Sequence, residues 1–241
     1  MEDEICAKKD VFAVFDGHAG ANAARLCAHA LYDVLSAQLE NHGNDWAKAA
    51  TAAFAELHHH VTLFRILSGT TALVAKVQEN VIRLAHAGDS RGVLVKTDGK
   101  GSRVTEDHKP QNPIERARIV ASGGRVVKSF FSNVYRVNGE LSVARAIGDL
   151  PYVPFGVTHM PDCAEIPRTP DMLALILACD GIWDVLSDQE ASKIVFSAIK
   201  EGLSMQGVAQ RLVESAFKKQ SSDNLSVLIV DLRENELNDY L

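Results

Sequence analysis

Four apolar, strand-length segments of this chain run into or out of an aspartate. Val11–Phe15 runs into Asp16, 81–87 passes through Gly88 into Asp89, 173–179 runs into Asp180, and Asp223-Asn224 opens the segment beginning at Ser226. Strand ends converge at the edge of a sheet, so this pattern brings carboxylates together. Clustered carboxylates repel one another, and they stay protonated or disperse unless cations hold them. The pattern therefore predicts hard divalent ions with oxygen ligands, magnesium or manganese rather than zinc. Taken singly, Asp-Gly and Asp-Asn are ordinary turn chemistry. Their co-occurrence points to a site.

Periodicity supplies the rest of the fold. Ala23, Leu26, Cys27, Ala30, Leu31, Val34 and Leu35 fall at helical spacing within 21–39, and a second helical stretch spans 46–67. Short β-rich runs at 70–78, 81–87 and 92–96 predict an antiparallel meander. Asn112-Pro113 opens a helix that Gly123-Gly124 closes, and strand pieces follow near 125–127 and 134–137. Segment 150–171 holds five of the seven prolines with little periodicity. It reads as a loop or flap over the body of the fold, suited to substrate selection or a regulator. Helices are expected at 187–200, with Ser187 as N-cap and Glu190 at the capping-box position, and at 204–218, before a last strand at 226–232. Strands and helices arranged in blocks rather than alternating argue for an α+β fold with antiparallel sheets.

A chain of 241 residues, 46% hydrophobic, fits one domain over 1–232 followed by a short tail at 233–241. The net charge of −6 is spread without a basic stripe, which argues against nucleic acid as a partner. No apolar run approaches the roughly 20 residues of a membrane span, so no membrane partner is expected. The four cysteines are scattered and none forms a C-x-x-C pair. They suit a reduced intracellular protein, cytoplasmic or nuclear, or organellar if an upstream segment carries an address.

The motifs fall in a recognisable order. Phe15-Asp16-Gly17-His18-Ala19-Gly20, Ser68-Gly69-Thr70-Thr71-Ala72, Ala87-Gly88-Asp89-Ser90-Arg91 and Thr105-Glu106-Asp107-His108 come first. Leu141-Ser142-Val143-Ala144-Arg145-Ala146-Ile147-Gly148-Asp149, Cys179-Asp180-Gly181-Ile182-Trp183-Asp184-Val185 and Ser222-Asp223-Asn224 follow. Over 1–232 the chain resembles the PP2C-type metal-dependent protein serine/threonine phosphatases. That resemblance implies a sandwich of two antiparallel β-sheets flanked by antiparallel helices, with two Mg2+ or Mn2+ ions at one end and a weaker third. It implies that Asp16 bridges both metals, the Gly17 carbonyl binds one, and Asp180 and Asp223 complete the other's shell. Glu2 resembles the additional acidic ligand, with Asp3 beside it holding a coordinated water, and Asp89 and Asp184 resemble the acids linked to the third metal.

The chemistry that follows is hydrolysis of phosphoserine and phosphothreonine in proteins by a hydroxide held between two ions, with no covalent phosphoenzyme. The leaving alkoxide is a strong base, and His18, two residues after Asp16, is the natural proton donor. Phosphoproteins are the expected partners, and a monomer the expected state. Arg91 and Arg145 suit structural carboxylate pairs as well as substrate contacts. His58-His59-His60 sits on a helix, where consecutive side chains diverge, so a solvated face is expected rather than a metal site. In similar family members an arginine three residues before the Met-Glu-Asp segment holds the substrate phosphate, whereas this sequence starts at Met1. The same comparison leaves one or more N-terminal strands missing. The alternative expectation is accordingly a catalytically silent binding or regulatory module on the same fold.

Overall fold

The computed structural model describes residues 1–129 and 133–233. Most of the expected tail, 234–241, lies outside the described residues. In chain order the strands are β1 (Glu4–Lys8), β2 (Val11–Phe15), β3 (Gly17–His18), β4 (Gly69–Thr70), β5 (Ala72–Val77), β6 (Val81–Ala87), β7 (Arg91–Lys96), β8 (Gly101–Arg103), β9 (Val126–Lys128), β10 (Tyr135–Val137), β11 (Asp162–Pro167), β12 (Met172–Ala178) and β13 (Val227–Asp231). The helices are α1 (Asn22–Asn41), α2 (Trp46–Leu63), α3 (Pro113–Ala121), α4 (Asp180–Trp183), α5 (Asp188–Lys200) and α6 (Met205–Lys218), with a 3-10 turn at Leu150–Phe155.

Every residue of β2 is buried, because both faces of its sheet are covered. Val11, Ala13 and Phe15 face α1 and α2, while Phe12 and Val14 enter a layer shared with Leu73, Leu84, Leu94, Leu175 and Leu177. That layer joins two antiparallel sheets, one in the order β1-β2-β5-β6-β11 and one in the order β13-β12-β7-β8. The outer face of the second sheet, through Val93, Val95, Ala174 and Ile176, packs on α5 and α6. The result is the expected α+β sandwich with helices on both outer faces. A smaller cluster of Ile119, Val137, Leu141, Val143, Ala144 and Val157 sits beneath α3.

Local sequence explains the helix boundaries. Ser187 and Glu190 close a full capping box on α5. Asn112 caps α3 by accepting from the Ile114 N–H, with Pro113 in the first turn, where no donor is needed. The second helix stops at Leu63 rather than 67, because Arg65 takes a positive φ of 54°.

Two expectations are corrected. The run 70–96 is not one meander: β5 and β6 form a hairpin, but β7 pairs with β12 and β8 in the other sheet. The chain crosses between sheets at Gly88-Asp89-Ser90, where Gly88 adopts φ 114° and a Cβ would lie 2.6 Å from the Thr71 side chain. Nor is 150–171 a continuous loop, since Asp162–Pro167 pairs with β6 at the edge of the first sheet. An edge strand tolerates proline and exposes polar residues, which is why its pattern resembles a loop.

Candidate metal centre

Asp16 leaves β2 between two locks on Thr71. The Asp16 N–H donates to Thr71 Oγ1 at 3.1 Å, and the Thr71 N–H donates back to the Asp16 carbonyl at 2.9 Å. Thr71 Oγ1 also bonds Ser90 Oγ at 2.7 Å, tying the same threonine to the turn that carries Asp89. From the second sheet, Asp180 follows β12 at the start of α4. One carboxylate oxygen each from Asp16, Asp89 and Asp180 lies within 4.8 Å of the others.

Two glycines allow further loops to close on this group. A Cβ at Gly17 would stand 2.3 Å from the Glu2 carbonyl oxygen, and one at Gly181 would stand 2.0 Å from that of Asn224. The Glu2 N–H donates to Asn224 Oδ1 at 2.8 Å, so the N-terminal segment and the Asp223-Asn224 turn hold each other. Asp223 lies exposed at the rim, its carboxylate accepting from the Asn224 N–H at 2.7 Å. Asp184 is exposed on the same rim, one turn beyond Asp180. Asp3 is buried, and both of its carboxylate oxygens lack a hydrogen-bond partner.

The electrostatics follow from this crowding. Burial, followed by the charges of Asp180, Asp3, Asp89 and Asp223, pushes the Asp16 carboxyl far above its ordinary value. Burial and Asp89 raise Asp180, against Lys109, while burial is the largest cause of the upward shifts at Asp184 and Asp3. An all-oxygen donor set with an orphaned buried carboxylate is one that a hard divalent cation would satisfy, so the residues fit such an ion. The cation present is Lys109. Its Nζ donates to Asp89 Oδ2 and lies 3.8 Å from Asp180 Oδ2.

His18 sits beside this group on β3, its Nε2 2.7 Å from Asp149 Oδ2. Asp149 is buried and held at a φ of 50°. The close approach depends on Gly69, where a Cβ would lie 2.4 Å from both Asp149 Cγ and His18 Nε2. His58 is not the solvated residue expected. Its Nδ1 accepts from the Gly148 N–H at 3.1 Å, and its ring stacks on His159 at 4.3 Å.

A second group, His86, His108 and Asp162, also clusters within 4.8 Å. The two rings stack at 4.5 Å with planes only 9° apart. Imidazole lone pairs lie in the ring plane, so near-parallel stacked rings do not converge on one ion. Their nitrogens are used instead: His108 Nδ1 accepts from the Gly88 N–H at 3.2 Å, and His86 Nε2 donates to the Glu106 carbonyl at 2.9 Å. Arg91 bonds Asp107 and Asp188, and Arg145 bonds Glu115 and Asp162, so both arginines bridge carboxylates.

Lys109, Asp149, Thr71 and Asn224 enter the site without having been singled out. Each lies in or beside a motif already noted, but threonine, lysine and asparagine carry no metal-ligand signature on their own. Only Asp149, an acid after Gly148, could have been added by the rule that found the others.

The family profile described as Protein phosphatase 2C matches residues 4–225. Protein phosphatase 2C 50 of Oryza sativa subsp. japonica is 35% identical, the alignment covering 96% of this chain and 71% of that protein. Protein phosphatase 1B of Mus musculus is 32% identical, covering 91% of this chain and 61% of that protein. The chain thus spans roughly two thirds of the length of these relatives. Among solved structures, a C. elegans sex determining protein superposes with a TM-score of 0.87 at 24% identity, over 99% of this chain and 62% of that one. A phosphatase from a pathogenic strain of Toxoplasma gondii superposes with a TM-score of 0.84 at 24% identity, over 97% and 89%.

Proposed function

Since the chain belongs to the protein phosphatase 2C family of metal-dependent protein phosphatases, we propose that it hydrolyses phosphoserine and phosphothreonine in proteins, using two magnesium or manganese ions and a weaker third. The observation that carries this reading is the Asp16, Asp89 and Asp180 group beside the unpartnered, buried Asp3 carboxylate. Asp16 would serve both principal ions, with the Gly17 carbonyl, Glu2, Asp180 and Asp223 completing their shells. Asp3 would hold a coordinated water, and Asp89 and Asp184 would hold the third ion. When bound, such ions supply an activated water and positive charge for the phosphoryl group.

The remaining work falls to the chain's own residues. Thr71 fixes Asp16 and the Asp89 turn in one register through its hydroxyl. Asp149 holds the His18 ring through Nε2, which leaves the Nδ1 proton for the leaving serine or threonine oxygen. All of these groups come from one chain, so the reading needs no second copy. Cys6, Cys27, Cys163 and Cys179 are free, which suits a reducing intracellular compartment. The domain would be the single unit 1–232. The full set of carboxylates favours an enzyme over a catalytically silent module.

The test is hydrolysis of an aryl phosphate and of a phosphothreonine peptide, with Mn2+ and with chelator, beside Asp180→Asn. Activity on both substrates, lost with chelator and in the variant, is expected. Activity on neither would overturn the proposal, and activity on the aryl ester alone would indicate a competent metal centre that does not engage phosphopeptide.

A further inference from the structure

Lys109 is out of keeping with its surroundings. Its side chain is only 25% exposed and reaches the carboxylates of both Asp89 and Asp180. It is an ammonium group placed inside a carboxylate cluster. Arg91, by contrast, is engaged by Asp107 and Asp188 and lies over the Trp183 ring at 5.1 Å. We infer that Lys109 is a built-in competitor for the divalent ion at Asp89, occupying the space between Asp89 and Asp180 when the ion is absent and having to withdraw when it binds. This inference rests on the proposed function, in which these carboxylates hold metal.

The argument is one of shared ligands. Lys109 Nζ uses Asp89 Oδ2 itself and lies 3.8 Å from Asp180 Oδ2. A divalent ion bound to that oxygen at about 2.0–2.6 Å would meet the ammonium within a few ångströms, where like charges in a half-buried site repel strongly. The backbone at this point is anchored, since the His108 N–H donates to the Gly88 carbonyl and the Lys109 N–H to that of Asp107. The flexible stem of lysine lets its charged head move while the backbone stays put. The hydrogen bond goes to Asp89, the contact with Asp180 is longer at 3.8 Å, and Asp16 receives none, so competition falls chiefly on the Asp89 position and less on the principal ions that Asp180 serves. On this account the third ion is the weak one because it must displace a resident charge. The same charge offsets carboxylate repulsion when no ion is bound.

The experiment titrates Mn2+ into the metal-free chain by isothermal calorimetry and follows thermal unfolding in chelator. Lys109→Met should tighten the weakest Mn2+ site by about tenfold or more and lower the unfolding temperature of the metal-free form. Lys109→Arg, which keeps the charge, should keep the weak affinity. Unchanged or weaker Mn2+ binding in Lys109→Met, or identical behaviour of the Met and Arg variants, would overturn the inference. A Met variant that folds only with Mn2+ supports it, whereas one that folds in neither condition makes Lys109 a structural residue and also overturns it. If the unaltered chain binds no Mn2+, it is the metal-centre reading itself that fails, an outcome distinct from the others.

Discussion

At His18, two influences compete and the carboxylate wins. Burial pulls the imidazole pKa down, but the hydrogen bond and charge of Asp149, with Asp89 and Glu2 behind it, leave it raised. A histidine whose protonated form is favoured beside a candidate metal centre suits proton donation to a poor leaving group. His18→Ala should therefore lower turnover on a phosphothreonine peptide by about 10²- to 10⁴-fold, with a much smaller loss on an aryl phosphate whose leaving group needs no proton. Asp149→Asn should show the same asymmetry to a lesser degree. Steady-state rates on the two substrates decide this, and equal losses would make the pair merely structural. Gly181 makes a sharper prediction, because its missing Cβ leaves room for the Asn224 carbonyl. Gly181→Ala should displace the Asp223-Asn224 turn and weaken Mn2+ binding in a calorimetric titration; unaltered affinity would separate Asp223 from the centre. Asp16, Asp89 and Asp180 were legible in the sequence because each ends an apolar run. Lys109 and Thr71 were not, because only their contacts with those acids give them meaning.

Elements covered on both faces were the readable ones. The strands β2 and β12 are buried throughout and appear as unbroken apolar runs. The edge strands β1 and β11 each turn mostly outward, so their residues carry no clear alternation and were missed. The crossing from β6 to β7 was hidden too, since Gly88-Asp89-Ser90 could equally close a hairpin. The segment after β8 is joined to β6 and β11 by the His86 and His108 stack, faced by Asp162, Arg145, Glu115, Asp107 and the Glu106 carbonyl. Burial, aided by the charges of His86 and Arg145, holds His108 at about 4, below its ordinary 6.5. Between those values the unfolded chain binds more protons, so this contribution to stability falls as pH is lowered from about 6.5 towards 4. Protonation at Nδ1 would also remove the bond from Gly88 beside Asp89. Chemical unfolding of the metal-free chain at pH 7 and pH 5 should show His108→Gln losing less stability on acidification than the unaltered chain, and parallel losses would refute the assignment. The helix caps act independently of the site. Ser187→Ala should cost about 1 kcal/mol and lower the melting temperature by about 2–4 °C without changing Mn2+ affinity.

For the molecule as a whole, the decisive fact is that the carboxylates come from both sheets. Asp16 leaves the first sheet, Asp180 leaves the second, and Asp89 sits on the crossing between them. Elsewhere the two sheets are joined by an apolar layer that includes Phe12, Leu73, Leu94 and Leu175. The site end is joined instead by groups that repel one another, relieved in part by Lys109. Divalent ions there would replace repulsion with ligation across the sandwich, so occupancy should act on stability as well as on rate. At free Mn2+ about a hundred times its dissociation constant, mass action contributes about 2.7 kcal/mol, which in a chain of this size raises the melting temperature by about 5–10 °C. The gain should also be localised. Hydrogen exchange on adding Mn2+ should slow at the end of β2, the Gly88-Asp89-Ser90 crossing, the start of α4 and the Asp223-Asn224 turn, while the remote ends of the sheets change little. A uniform slowing would mean that the ions stabilise the chain without pinning its sheets at this end, and no change in melting temperature would mean that the cluster does not bind them.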